Sequence, residues 1–366
     1  MKTETFRCWA EINREALRRN AQAVRDRIGS AEILAVVKAN AYGHGMVGVA
    51  ETLADQVQLF GVANLEEAIA LRAAVPHPII ILGPALPQEM PEVVDRGFIP
   101  TISNVEEAEQ CDQLAKGDKV SVNFKVDTGM GRMGAPEGRA LPVFQRIAGL
   151  PSVQVHSIST HMPVSNEDEA YTREQLVRFR NIVENFRMHV PGDYKAHVLQ
   201  SAGTLAFAER PFDIVRAGII LYGISPLPEY QSAIEPSLTW KTRIGLVREM
   251  PEGSSISYGR TFITPKPMRV ATLTAGYADG YPRQISNRDA SMLVRGRRCP
   301  LLGRVTMDLM VIDVSNVPGV TPGEEVVLMG RQGEAEIPCA ELAEKAETIT
   351  WDITTRIGMR VRRVLV

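Results

Sequence analysis

Five polar side chains fall where short apolar runs of this sequence stop. Lys38 follows the run Ile33 to Val37, and Arg132 lies in the glycine-rich stretch "DTGMGRMG". His161 closes "VQVHSISTH", Ser201 closes "YKAHVLQS", and Arg216 sits inside "DIVRAGIILYG". Each alone is a weak signal, because a lysine at a strand end is usually a solvated cap and a lone histidine a satisfied core residue. Glycines in such a loop are often only turn formers. Their recurrence at the same end of successive runs makes three chemistries compete. An amine where apolar cover ends can form a Schiff base, with backbone N–H groups of the last loops facing a cofactor's phosphate. Alternatively, His156, His161 and His197 with Lys125 ligate a hydrolytic metal. Against this, the first run offers no H-x-H pair, and His156 and His161, five apart, face opposite sides of a strand. In the third reading the same rim binds a small phosphate compound without catalysis, which leaves the second half of the chain without a task. The Schiff-base reading leads.

Those residues need elements to hold them. Strand candidates are "EILAVVK", "LFGVAN", "PIIILG", "FIPTIS", "SVNFKVD", "VQVHSISTH", "YKAHVLQS" and "DIVRAGIILYG", with amphipathic stretches such as "LEEAIALRAAV" and "TREQLVRFRNIVENF" between them. Alternation of this kind predicts an α/β fold, a (β/α)8 TIM-type barrel over 10–235 with chemistry at the C-terminal strand ends. A doubly wound open sheet is the structural alternative. Beyond 236 the pattern turns to short alternating runs broken by Gly and Pro, such as "KTRIGLVREM", "SSISYGRTF" and "LMVIDVSNV". One helix-like segment, "CAELAEKAETIT", intervenes. This predicts a mainly β domain over 236–366, joined by residues 1–9.

A chain of 366 residues exceeds what one hydrophobic core usually serves. With 45% apolar and 23% charged residues it should bury a full core and stay soluble. A net charge of -2, without a long basic run, argues against nucleic acid and polybasic membrane anchoring. The scattered Cys8, Cys111, Cys299 and Cys339 read as free thiols of a reducing compartment. No stretch is long enough to span a bilayer, and "MKTETFRCWAEINREAL" lacks a signal peptide's apolar core, so the cytoplasm is expected.

"AVVKANAYGHG" resembles the pyridoxal-phosphate attachment motif of the alanine racemase family. "KVDTGMGRMG", "STHM", "IVRAGIILYGISP", "SISYGRTF", "AGYADGYPR", "GRVTMD" and the terminal "RVRR" follow in the family's order. The resemblance implies a fold-type III enzyme, a barrel followed by a β domain, that uses pyridoxal 5'-phosphate and no metal. By the same resemblance Lys38 holds the cofactor and acts as one base. Tyr258, from the other subunit of a homodimer, is the base on the opposite face. Arg216 faces the pyridine nitrogen, with His161 as its buttress and His197 near the ring. Tyr42, Ser201 and the N–H groups of Gly218 and Ile219 bind phosphate. Arg132 and the N–H of Met307 receive the substrate carboxylate, and Asp308 and Tyr281 align with residues near the entrance, a turn-packing role being the alternative for the tyrosine. Lys125 matches a lysine that is carbamylated in some members.

Two positions depart from the pattern. Trp351, in "TITWDITTR", stands where the family carries a tyrosine that reaches the cofactor phosphate. An indole N–H can donate but not accept. Gln200 replaces the usual asparagine before Ser201. Both leave racemase chemistry intact and bear on specificity. The expected activity is interconversion of L- and D-alanine, supplying D-alanine for peptidoglycan. The alternatives are a racemase of serine or other small amino acids, and a non-catalytic pyridoxal-phosphate binder.

Overall fold

Apolar runs that are buried on both faces become eight short parallel strands, as the covered sheet of an α/β unit requires. In this computed structural model, which describes residues 5–208 and 212–366, they are Glu32–Val36, Leu59–Val62, Ile79–Ile81, Ile99–Ile102, Val120–Asp127, Val153–Ser159, Lys195–His197 and Ile214–Ala217. Neighbours pair in chain order, and the eighth returns to the first with Ile214 opposite Glu32. At the remaining seam the Arg216 N–H donates to the Leu199 carbonyl (2.9 Å). The result is a nearly closed barrel. Helices cover it with apolar stripes, such as Leu65, Ala68 and Leu71 of Leu65–Arg72.

Three local readings change. The first strand stops at Val36, two residues before Lys38. "DIVRAGIILYG" gives strand only over Ile214–Ala217 and then a 3-10 turn, Ile219–Tyr222, closed by Gly223 at φ +77°. A wholly buried apolar run suits either conformation, so hydropathy could not separate them. His156 sits where the pairing of Val153–Ser159 slips between Val155 and Ser157. Parity counted along a regular strand therefore does not hold across it.

The second unit comprises residues 5–16, 42–45 and 236–366. Residues 1–4, which the sequence reading joined to it, lie outside the described residues. Its spine is Leu238–Met250, antiparallel to Cys8–Ile12, Met268–Leu273 and Glu325–Gln332. Cys8–Ile12 also pairs, in parallel, with Arg362–Leu365. Trp9, Trp240 and Tyr281 fill the core, and the Trp240 indole donates to Cys8 Sγ (3.2 Å). Burial pushes that thiol up to about 12, so it is a packing group rather than a nucleophile. "SSISYGRTF" is not one strand. Ser255–Ile256 and Phe262–Ile263 flank a kink at Tyr258–Arg260. The segment read as helix-like, "CAELAEKAETIT", is helical only over Cys339–Lys345; the chain breaks at Glu347 with φ +54°, and a second helix, Thr350–Thr355, starts at the segment's last residue. No helix among the described residues is long and apolar enough to cross a membrane.

Candidate active site

Lys38 opens a left-handed turn. Ala39, Asn40, Ala41 and Tyr42 have φ of 52, 53, 54 and 52°, a region that costs an L-residue roughly 1–2 kcal/mol and is seldom occupied consecutively. Bonds from every side hold it. Ala41 N–H donates to the Val37 carbonyl (2.7 Å), Met46 N–H to Asn40 Oδ1 (2.9 Å), and Ala39 N–H to Glu67 Oε1 (2.7 Å). Strain of this kind persists only where the surroundings over-determine it, typically at functional sites. The lysine is half-buried. Desolvation and then the charge of Arg132 lower its pKa; Arg216 adds to this and Glu67 opposes it. The neutral amine, the form that acts as nucleophile and base, is thereby brought within reach.

Arg216 is buried and donates in two directions. One terminal nitrogen reaches His197 Nδ1 (2.8 Å) and the His197 carbonyl (3.0 Å). The other reaches the Thr160 and Val198 carbonyls (2.8 Å each) and His161 Nδ1 (3.2 Å). Behind it, a polar chain runs through the barrel. Thr101 donates to the Ile81 carbonyl (2.6 Å) and Asn123 Nδ2 donates to Thr101 (3.0 Å). Asn123 Oδ1 accepts from Ser157 (3.0 Å) and from His197 Nε2 (3.1 Å). This order of donors assigns the His197 proton to Nε2, leaving Nδ1 to accept from the guanidinium. Both imidazoles therefore spend lone pairs on a permanent cation, which disfavours them as metal ligands. His156, bonded to Ser157 Oγ (3.1 Å), takes no part in that pair.

Burial, and secondarily Arg216, holds His161 down at about 2 and His197 well below the ordinary range. Unfolded imidazoles take protons below their ordinary 6.5 and these folded ones refuse them. Stability should therefore fall as pH drops from 6.5 toward 2. Urea midpoints measured down this window should fall less steeply for His161→Gln, which keeps an acceptor for Arg216. An identical slope would remove His161 from the account.

Arg132 depends on its loop. Asp127 accepts the N–H groups of Gly129 (2.9 Å), Met130 (2.8 Å) and Gly131 (2.9 Å) on its two oxygens. Gly134, at φ +116°, has no room for a Cβ, which would stand 2.7 Å from the Asp127 nitrogen. Lys125 precedes this clamp. Desolvation and the charges of Arg216 and Arg132 push its amine well below the ordinary lysine value, with Asp127 opposing. The neighbouring Ser159 Oγ is buried without a hydrogen-bond partner among the described residues.

Ser201 begins the helix Ser201–Ala206 and accepts from the Gly218 N–H (3.1 Å). That N–H thus points at the serine, and Ile219 supplies the first N–H of the following turn. Gln200 caps the Ser201 helix by accepting from Gly203 N–H (3.0 Å) and also donates to Ser165 Oγ. Both ends of its amide serve the loop.

The remaining candidates belong to the β unit. Tyr42 is followed by Gly43, whose added Cβ would fall 2.0 Å from the Thr354 carbonyl, so its loop lies against the helix that carries Trp351. Arg363, of the terminal "RVRR", donates to the Gly43 carbonyl (2.8 Å). Arg360 pairs with Asp279 (2.7 Å) and Asp308 (2.7 Å), tying "AGYADGYPR" and "GRVTMD" to the same tail. Tyr258 is 70% exposed on its kink, and Met307 is 53% exposed. Tyr281 is a correction. It is buried against Trp240, and the exposed tyrosine of that motif is Tyr277.

Sequence reasoning missed Glu67, Asn123, Thr101 and Ser157. Asn123 was within reach of it, since it shares a strand face with Lys125 two residues on.

The profile of the family "Alanine racemase, N-terminal domain" matches residues 12–226, and that of "Alanine racemase, C-terminal domain" matches 237–365. The chain is 40% identical to an alanine racemase of Halothermothrix orenii, over 97% of this chain and 96% of the other. It superposes on alanine racemase of Clostridium difficile with a TM-score of 0.93 at 30% identity, covering 99% and 96%. On the Bartonella henselae alanine racemase with covalently bound pyridoxal phosphate the TM-score is 0.88 at 26% identity, covering 99% and 100%.

Proposed function

This chain belongs to the alanine racemase family and is an isomerase of L- and D-alanine, and on that premise we propose that it works with pyridoxal 5'-phosphate, a shared dimeric site and two bases. The barrel residues fit that cofactor. Arg132 and Arg216 act electrostatically on both Lys38 and Lys125, with Glu67 opposing at the first lysine and Asp127 at the second. A mouth so rich in cations and donors calls for an anionic ligand, and a phosphate-bearing aldehyde supplies both the charge and the carbonyl an amine needs. Lys38 would hold it. Tyr42, Ser201, Gly218, Ile219 and Trp351 would serve its phosphate, and Arg216, His161 and His197 its ring.

Bound there, the cofactor supplies an electron-withdrawing ring that acidifies the amino acid's Cα–H. Lys38 moves the proton on one face of that carbon, and Tyr258 of the partner subunit on the other. Arg132 holds the substrate carboxylate in a bidentate fork, aided by the Met307 N–H of the partner subunit. Arg216 can only donate, so facing a pyridine nitrogen it would supply no proton-accepting partner there and would limit side chemistry. Lys125, favoured as a free amine, adds carbon dioxide and releases a proton. Its carbamate charge then steadies Arg132. The support for a dimer is that Tyr258 and Met307, the two residues assigned to the partner's site, both stand exposed. We assign the cofactor to the domain over 10–235, the second base to that over 236–366 with 1–9, the enzyme to the cytoplasm and its product to peptidoglycan.

The observation that carries this reading is Lys38 on a strained turn, beside an arginine locked between two neutral imidazoles. Chiral analysis after incubation with L-alanine and, separately, L-serine tests it. D-alanine should form faster. Faster D-serine would keep the chemistry and point to Trp351, since Gln200 is spent on its helix. No product from either would overturn the reading. Asp127→Ala should raise KM for alanine roughly tenfold while kcat falls less, because Arg132 loses its clamp. An unchanged KM would separate the loop from carboxylate binding.

A further inference from the structure

We propose that Glu67 is a positioning residue for Lys38, its carboxylate bridging the peptide N–H that follows the lysine and the N–H that follows the second barrel strand. The inference rests on Lys38 carrying the chemistry. Two barrel helices start alike. Asn64 accepts from Glu67 N–H (3.0 Å) and Asn104 from Glu107 N–H (2.8 Å). Each glutamate reaches back to the residue before its asparagine, Glu67 to Ala63 N–H (2.8 Å) and Glu107 to Ser103 N–H (2.6 Å). One oxygen completes such a cap. In Glu67 the second oxygen goes elsewhere, to the Ala39 N–H at 2.7 Å.

That N–H belongs to the peptide joining Lys38 to the left-handed run, so the bond fixes the plane from which the lysine side chain departs. The carboxylate also answers the cations around the amine. Arg132 and Arg216 act on Lys38 as like charges, the uncharged His161 feels the same lysine, and Glu67 is the anion that opposes them. A cap alone would need neither feature.

The test uses full-length Glu67→Ala and Glu107→Ala, which lose matched caps, and Glu67→Asp, which keeps charge but is one methylene short. Amide hydrogen exchange of the peptide spanning residues 38–42 is read in the chain without cofactor. Values of kcat and KM for L-alanine are read in the loaded enzyme. Glu67→Ala should speed exchange in that peptide and lower kcat roughly 10- to 100-fold, with KM nearly constant. Glu107→Ala should move neither, and Glu67→Asp should not restore them. Unchanged exchange in Glu67→Ala, or full rescue by aspartate, would overturn the proposal. Should Glu67→Ala not fold, Glu67→Gln, which satisfies one N–H at most, replaces it. If the wild-type chain racemises nothing, the functional reading fails while the exchange data still decide the bridge.

Discussion

A Lys38→Ala chain will racemise alanine in neither direction and will show no visible Schiff-base absorption after incubation with pyridoxal phosphate. The loss should be complete, because one change removes the covalent anchor and a proton carrier together. It should not be a folding defect. Lys38 is one of several cations that raise each other's electrostatic energy, alongside Arg132 and Arg216. Deleting it relieves repulsion, so the urea midpoint of the cofactor-free chain should stay level or rise. The left-handed turn also survives, since its bonds run through the backbone of Ala39 and Ala41 and through Asn40 and Glu67. Turnover with a retained absorption band would end the assignment of Lys38. A collapsed midpoint would show that the substitution tests packing rather than chemistry.

Tyr258→Phe should leave the absorption band in place and lower racemisation roughly 10²- to 10⁴-fold. The ring stays, and only the hydroxyl proposed to carry the proton goes. Because 70% of the tyrosine is exposed, the fold should not register the change. In heavy water the variant should still exchange the α-hydrogen of one enantiomer, through Lys38, and not that of the other. Exchange of both would mean a single base serves both faces. Mixing separately purified Lys38→Ala and Tyr258→Phe chains, with time for subunit exchange, tests the shared site. In a mixed dimer one site joins both intact residues, so about one quarter of wild-type activity should return. If each site were built from one chain, nothing would return.

Much of this was legible in the chain itself. Apolar runs of strand length separated by amphipathic stretches specify a covered parallel sheet, because burial on both faces leaves no polar alternative along a run. The order of "AVVKANAYGHG", "DTGMGRMG" and "VRAGI" along those runs placed Lys38, Arg132 and Arg216 at one rim before any coordinates. Such readings succeed because they rest on local periodicity and on chemistry that few side chains can perform.

What the tertiary structure alone decided concerns direction and pairing. Nothing local marks Ala39 to Tyr42 as left-handed. That conformation is intrinsically unfavourable and exists only because Glu67 and the Asn40–Met46 bond, together with Val37, hold it. The same holds for Tyr281, which hydropathy allows at a surface turn and packing assigns to the core beside Trp240. The neutral state of His197 likewise follows from burial inside the barrel and from Arg216 on another strand, while Asn123 fixes which nitrogen keeps the proton. Sequence thus named the groups proposed for this protein's chemistry. Which way they point, and in what protonation state, is set by contacts between residues far apart in the chain, where the energies of strain, burial and charge are balanced.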